Sequence, residues 1–221
     1  GRAEHPGERA QMSGLYPVFL ALAGKKCLVV GGGEVAARKI ASLWEAGAQV
    51  TVVAPWLCPE TRELVEKGAA KWLEREYAAS MLDGATLAIA ATGEEAVNQK
   101  VSQDAEARNI LVNVVDQPGL CGFFVPSVVR RGDLVIAVST SGKSPAAAKR
   151  LRKKLEKDFG PEWAVYLRMM GEARELALKA KSGQKNREKI FNQLADSSLF
   201  SLVKEGQLDK ARKLIEEIVG T

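Results

Sequence analysis

The sequence predicts an α/β fold with a parallel sheet, because apolar strand-length runs alternate with stretches of helical periodicity. The strand runs are apolar along their whole length, which is typical of strands that helices cover on both faces. Predicted strands are 26–30, 49–54, 70–74, 87–90 and 111–115, and the helices between them are 34–46, 59–67 and 94–108. The first half of the chain is therefore predicted to be a Rossmann-type domain.

Three glycines separate the first predicted strand from the first helix. Gly31, Gly32 and Gly33 follow the strand, and Glu34 and Val35 begin the helix. Glycines at this junction allow a tight turn and a close approach of the backbone to a pyrophosphate. The free N–H groups of the helix start favour its negative charge. These five residues are predicted to bind a nicotinamide or flavin dinucleotide.

The end of the second predicted strand leaves the choice between NAD and NADP open. An acidic residue that binds the adenosine ribose is expected there, but the chain has Ala54-Pro55-Trp56. Backbone groups of Pro55 and Trp56 are predicted to contact the adenosine half of the cofactor. No arginine occurs at this strand end to bind a 2′-phosphate.

Polar residues follow the fourth and fifth predicted strands. Thr92 offers its hydroxyl to the cofactor, or alternatively caps the next helix. Asp116, three residues after Asn113, is the leading acid–base candidate, because the only histidine is His5 near the beginning of the chain. The alternative is that Asp116 caps the turn at 117–119.

The second half of the chain changes pattern. Two further strands, candidates for antiparallel pairing, are predicted at 121–126 and 134–139. Ser144 is a predicted N-cap before Pro145, and Gly160-Pro161 breaks the helix that follows. The predicted helices run to 159 and then over 161–181, 185–194 and 207–218.

The segment Ser139-Thr140-Ser141-Gly142-Lys143-Ser144-Pro145 combines hydroxyl groups, a lysine and a helix start, which suit a carboxylate or a phosphate. Its Gly-Lys-Ser lacks the earlier glycine of an ATP-binding loop, since Ala137 stands there, so ATP binding is rejected. The alternative is a helix cap with a flexible loop.

Composition and charge narrow the classes of function. The basic surplus of the chain lies after residue 144 and is densest at 149–154, which favours an acidic partner. Nucleic acid is not expected, because this segment lacks aromatic residues. No apolar run reaches the length of a membrane helix. Three unpatterned cysteines predict reduced thiols in the cytoplasm and no metal site.

Several segments in order resemble the precorrin-2 dehydrogenase and sirohydrochlorin ferrochelatase family of sirohaem biosynthesis. The resemblance covers about residues 15–157 and includes the hydroxyl-rich segment with its basic helix. The matching motifs are Leu-Tyr-Pro-Val-Phe-Leu (15–20), Val-Val-Gly-Gly-Gly-Glu-Val-Ala-Ala-Arg-Lys (29–39), Leu-Ala-Ile-Ala-Ala-Thr (87–92), Asn-Gln (98–99), Asn-Val-Val-Asp (113–116) and Phe-Phe-Val-Pro-Ser (123–127).

This resemblance implies NAD-dependent oxidation of precorrin-2 to sirohydrochlorin, which some members follow with Fe²⁺ insertion. It implies a catalytic role for Asp116, and a tetrapyrrole bound between it and the 139–145 segment, with Asn113, Ser139, Thr140, Ser141 and Lys143 as substrate-binding residues. Relatives often have serine at the position of Thr140. It further implies a homodimer, and the chain is expected to be the stand-alone form that resembles the N-terminal part of sirohaem synthase.

The predicted organisation is a disordered tail (1–13), an NAD-binding domain (14–115), a small β-containing dimerisation region (116–148) and a helical C-terminal domain (149–221). Two other functions remain open. One is a non-catalytic, NAD-sensing regulatory domain, and the other is a chelatase that has lost dehydrogenation.

Overall fold

The computed structural model describes residues 14–179 and 184–220, and the chain divides into two compact units, Gly1–Val125 and Pro126–Thr221. The tail predicted at 1–13 lies outside the described residues. The division falls after Val125, beyond the predicted boundary at residue 115, because residues 116–125 still pack against the end of the first unit's sheet. Gly122 N donates to the carbonyl oxygen of Val112 over 2.7 Å.

Five parallel strands form the sheet of the first unit, in the order β3-β2-β1-β4-β5. The central strand β1 pairs with β2 on one side and β4 on the other, so the chain reverses its direction of winding beside β1. In open α/β sheets, ligands bind at this switch point, at the carboxyl ends of the strands. The strands are β1 (Lys26–Val30), β2 (Gln49–Val53), β3 (Lys71–Leu73), β4 (Leu87–Ala90) and β5 (Leu111–Val114).

Three helices cover the two faces of this sheet: α1 (Glu34–Glu45), α2 (Pro59–Glu66) and α3 (Glu95–Glu106). Alternate residues of β1 enter different apolar clusters. Val29 packs in the cluster that contains α1, and Leu28 packs in the cluster that contains α3. The predicted Rossmann-type sheet with two covered faces is therefore confirmed.

Glycine ends the first two helices, as predicted. Gly47 and Gly68 have φ angles of +76° and +78°, a left-handed conformation that glycine adopts without steric cost. The 3₁₀ turn at Ala79–Leu82 was not predicted, whereas the one at Pro118–Leu120 overlaps the turn predicted at 117–119. Leu82 is fully buried and anchors the first of them in the core.

The second unit begins with an antiparallel pair, β6 (Ser127–Arg131) and β7 (Leu134–Val138), in which Val129 lies opposite Ile136. The pairing is confirmed, but the strand predicted at 121–126 is wrong. Gly122 and Phe123 both donate their backbone N–H to the Val112 carbonyl, which holds this segment as a turn against β5.

Helix α4 (Pro145–Asp158) packs on this pair of strands. Its start is capped as predicted, because the Ser144 hydroxyl accepts a hydrogen bond from Ala147 N over 3.1 Å. Its last turn is held by Arg131, whose Nε donates to the carbonyl of Phe159 over 2.9 Å. The predicted boundary between residues 148 and 149 falls inside this helix.

The remaining helices form a bundle: α5 (Glu162–Lys179), α6 (Gln184–Asp196), α7 (Leu199–Lys204) and α8 (Leu208–Val219). Helix α7 was not predicted. Its Phe200 packs against Trp163 with the rings tilted by 44° and their centroids 4.7 Å apart, and it meets Tyr166 edge-on. Among the helices of the described residues, none combines the length and the apolar character needed to cross a membrane.

Candidate dinucleotide-binding site

Gly31 follows β1 and contacts the ends of the two neighbouring strands, β2 and β4. Its φ angle is +118°, and a Cβ at this position would overlap the carbonyl oxygen of Ala91. Its backbone N–H donates to the carbonyl of Val53 at the end of β2 over 2.9 Å. The turn therefore sits between the ends of β2 and β4, in a conformation that L-residues rarely adopt.

Gly32 and Gly33 have opposite surroundings. A Cβ on Gly32 would overlap the carbonyl oxygen of Trp56, whereas a Cβ on Gly33 would meet nothing within 4 Å. Gly33 is also the N-cap of α1, and no side chain of the described residues caps the helix there. Gly32 is therefore packed against the protein, with no room for a side chain, whereas Gly33 faces open space.

The start of α1 fits a dinucleotide. The N–H groups of the first helical turn have no partner within the helix, and the Glu34 and Val35 N–H groups begin that turn beside the open Gly33. Ala36 is fully buried, which lets α1 approach the sheet closely. These groups suit a pyrophosphate, because they combine unpaired donors with the positive end of the helix dipole.

A cavity of about 500 Å³ adjoins this helix start. Its size lies in the range of small-molecule and cofactor sites. It brings together three residues predicted from separate motifs, namely Val35, Thr92 and Asp116. The full lining is Val35, Ala91, Thr92, Gly93, Glu95, Asn98, Val115, Asp116 and Gln117.

Thr92 is held by Asn98 on α3, a residue whose role sequence reasoning missed. The Thr92 hydroxyl donates to Asn98 Oδ1 over 2.8 Å and accepts from Glu94 N over 3.1 Å. Asn98 Nδ2 donates back to the Thr92 carbonyl over 3.1 Å, and Asn98 is buried. The sequence signal for this role of Asn98 was a polar residue on the inward face of α3. The contact of Thr92 with the cofactor stays a prediction.

Asp116 lies in a tight turn after β5. Its φ angle is +59°, and Gln117 N closes the turn onto the Val114 carbonyl over 3.3 Å. The carboxylate is exposed, and within residues 14–179 and 184–220 it accepts no hydrogen bond and forms no ion pair. It is therefore open to a ligand in the cavity.

Lys39 on α1 interacts electrostatically with Asp116. Burial is the main cause that lowers the pKa of Lys39, and the nearby Arg38 adds to it, whereas Cys121 and Asp116 oppose it. Lys39 follows Val35 by one helical turn, which places both residues on one face of α1. Sequence reasoning missed this residue, because a lysine on an amphipathic helix is ordinarily solvated.

Asn113 points into the protein. It is buried, and its Nδ2 donates to the Phe123 carbonyl over 3.0 Å. This bond helps to hold the segment after the 3₁₀ turn against β5. Its predicted contact with substrate stays a prediction.

The end of β2 carries the two predicted adenosine contacts, Pro55 and Trp56, both exposed. The Ala54 carbonyl accepts the indole N–H of Trp72 over 3.0 Å, and the Arg62 guanidinium lies 5.4 Å from the centroid of a Trp72 ring. Tertiary contacts thus bring an arginine near the strand end, where the sequence shows none.

The hydroxyl-rich segment belongs to the second unit, where it forms a compact loop before α4. Thr140 Oγ1 accepts from Ser144 N over 3.2 Å, and Ser141 N donates to Ser139 Oγ over 3.1 Å. Ser141 has a φ angle of +50°, and Lys143 is exposed. The helix-cap alternative is correct for Ser144, and substrate binding by the other residues stays a prediction.

Matches to known protein families divide the chain at nearly the same position as its two compact units. Residues 18–127 match a family of NAD(P)-binding domains, and residues 131–158 match the central domain of sirohaem biosynthesis proteins. A sirohaem synthase of Photorhabdus laumondii is 37% identical over 201 residues, or 91% of this chain. Over most of its length the chain is therefore similar to sirohaem-biosynthesis proteins. Its first unit matches the family of NAD(P)-binding domains.

Two further sirohaem synthases are similar to this chain. A sirohaem synthase of Methylobacillus flagellatus is 39% identical over 92% of this chain. One from Thioalkalivibrio sulfidiphilus is 41% identical over 93% of it. The chain spans less than half of these relatives, since the matches cover 43%, 44% and 42% of the three proteins.

A solved structure extends the similarity over the chain. SirC, a precorrin-2 dehydrogenase, superposes with a TM-score of 0.77 at 27% sequence identity, covering 94% of this chain and 100% of SirC. The predicted α/β sheet, small antiparallel sheet and C-terminal helices are confirmed by this match. Together with the family match, it supports NAD as the cofactor.

Proposed function

We propose that the chain is an NAD-dependent precorrin-2 dehydrogenase that produces sirohydrochlorin in sirohaem biosynthesis. One observation carries this proposal: a single cavity joins the helix start that suits a dinucleotide to the Asp116 carboxylate. The similarity to SirC, which is named a precorrin-2 dehydrogenase, supports the choice of substrate.

Oxidation of precorrin-2 to sirohydrochlorin removes two hydrogens, one as a hydride and one as a proton. NAD supplies the hydride acceptor when it is bound. The start of α1 binds and orients its pyrophosphate, and Val35, Pro55, Trp56 and Thr92 line its path. The Asp116 carboxylate, which lines the same cavity, accepts the proton.

Precorrin-2 is a polycarboxylate, and the second unit offers cations for it. Lys143, Lys149 and Arg150 are all exposed in the loop and the first turns of α4. We assign substrate contacts in this unit to Lys143, Ser139, Thr140 and Ser141. Opposite charges favour the encounter before any specific contact forms.

The proposal includes a homodimer built by residues 116–148, and a cytoplasmic location. Family resemblance supports the homodimer, and the three unpatterned cysteines support the location. Neither nucleic acid nor a membrane is a proposed partner. In the described residues, no group of three or more His, Cys, Asp or Glu side chains is arranged to hold a metal ion.

The experiment that tests this function compares Asp116→Asn with the parent enzyme. Asparagine tolerates a left-handed backbone and removes only the charge. We expect NADH formation from precorrin-2 to fall by about a hundredfold or more, the range of general acid–base effects. NAD affinity, measured by calorimetry, should change by less than about twofold, because the pyrophosphate binds to backbone N–H groups that the substitution leaves in place.

Asp133→Asn is the matched control, since Asp133 is an exposed carboxylate in the turn between β6 and β7. Equal turnover in Asp116→Asn and the parent would reject the catalytic role. NAD binding without any NADH formation by the parent would instead identify an NAD-sensing regulator. Adding Fe²⁺ with sirohydrochlorin and no NAD tests the chelatase alternative.

A further inference from the structure

The first turn of α2 is tied directly to the glycine loop. Cys58 N donates to the Gly32 carbonyl over 2.8 Å. The Thr61 hydroxyl donates to the Gly33 carbonyl over 3.2 Å, and Thr61 is fully buried. Glu60 lies between these two anchors, so its backbone position is fixed beside the glycine loop.

Glu60 keeps a negative charge at this position. Its carboxylate is fully exposed, and hydrogen bonds lower its pKa. The first cause is its own backbone N–H at the helix start, and the second is the Cys58 side chain. Protonation at neutral pH is therefore negligible.

The adenosine ribose of a bound dinucleotide lies at the end of the second strand of such a fold, where a carboxylate ordinarily binds its hydroxyls. Ala54, Pro55 and Trp56 offer none. The chain then turns back on the glycine loop, and Glu60 is the first carboxylate after β2. The contacts of Cys58 and Thr61 with Gly32 and Gly33 place the backbone of this acidic residue between two anchors on the glycine loop.

We propose that Glu60 is the residue that selects NAD over NADP. Its carboxylate accepts hydrogen bonds from the ribose hydroxyls of NAD and repels the 2′-phosphate of NADP. The inference rests on the proposed use of NAD by this site, and it adds the group that discriminates between the two cofactors.

Arg62 is the group with the opposite effect. Its guanidinium lies over Trp72, whose indole is bonded to the Ala54 carbonyl at the same strand end. A 2′-phosphate bound by Arg62 would make NADP the better ligand. Glu60 therefore favours NAD and Arg62 would favour NADP. The ratio of the dissociation constants of the two cofactors shows which residue dominates.

The test is a calorimetric titration of the full chain with NAD and with NADP, in the parent and in Glu60→Gln. Glutamine preserves the size of the side chain and removes its charge. We expect the parent to bind NAD more tightly. The ratio of the two dissociation constants should shift toward NADP by about tenfold in Glu60→Gln, because a nearby charge repels a phosphate strongly.

Glu63→Gln is the matched control. Glu63 lies one turn further along α2, exposed and 2.5 Å from Lys67. An equal shift in both variants would show a general effect of helix charge and overturn the proposal, as would an unchanged ratio in Glu60→Gln or a parent that prefers NADP. Because no precorrin-2 is present, failure of the dehydrogenase assignment does not affect this result.

Discussion

At the scale of single residues, Gly31 and Gly33 have different tasks. Gly31→Ala should lower the free energy of unfolding by about 3 kcal/mol, because its Cβ adds both backbone strain and overlap with Ala91. Gly33→Ala should change stability by less than about 1 kcal/mol. It should weaken NAD binding instead, since its Cβ enters the open space beside the helix start. Urea unfolding and NAD titration measure the two effects.

Each glycine variant is the control of the other. Equal destabilisation by both substitutions would contradict the difference in packing between the two positions. Gly33→Ala with parental NAD affinity would contradict the placement of the pyrophosphate at the start of α1.

The sequence could predict the chemical groups of the site but not their environment. Asp116 and Thr92 were predicted from their positions at strand ends, and the cavity brings them together. The role of Lys39 depends on elements distant in sequence, since this residue of α1 interacts with Asp116 after β5. Asn98 follows Thr92 by six residues, but the partner of its side chain is fixed only once α3 has packed against β4.

At the scale of elements, the cap of α4 is a separable contribution to stability. Ser144→Ala removes the acceptor for Ala147 N and should lower the free energy of unfolding of the second unit by about 1 kcal/mol. Far-ultraviolet circular dichroism during urea unfolding measures this change.

Ser198→Ala provides the comparison. Ser198 is the N-cap of α7, and its side chain makes no capping hydrogen bond. This variant should unfold within about 0.3 kcal/mol of the parent, as is usual for substitutions away from specific contacts. An equal loss in both variants would mean that the Ser144 hydroxyl contributes nothing as a cap.

Strands were predicted best where burial is complete on both faces. The bounds of β1 and β4 agree with prediction, because every internal residue of these strands is apolar. The run 121–126 is also largely apolar but forms no strand, since the N–H groups of Gly122 and Phe123 both bond to the Val112 carbonyl. Helix α7 has only six residues, too few for helical periodicity to show.

At the scale of the molecule, the two units should respond differently to cofactor. A ligand present at a hundred times its dissociation constant stabilises the form that binds it by about 2.7 kcal/mol. We expect NAD to slow hydrogen exchange in β1, α1 and β2, and to leave α5–α8 unchanged. Mass spectrometry of peptides from the full chain measures both.

Hydrogen exchange without NAD gives the baseline for each peptide. Equal protection of α5–α8 would contradict independent opening of the units and show that the chain unfolds as one cooperative body. Absence of protection in α1 would contradict NAD binding at its start.

The glycine loop offers the cofactor main-chain N–H groups. Every amino acid except proline carries such a group, so a codon change at Glu34 or Val35 leaves the donor itself in place. Phosphate recognition therefore depends on the path of the backbone, and substitutions of these two side chains affect it little. The vulnerable codons are those of Gly31 and Gly32, whose replacement would change the backbone path while leaving the N–H donors of α1 present.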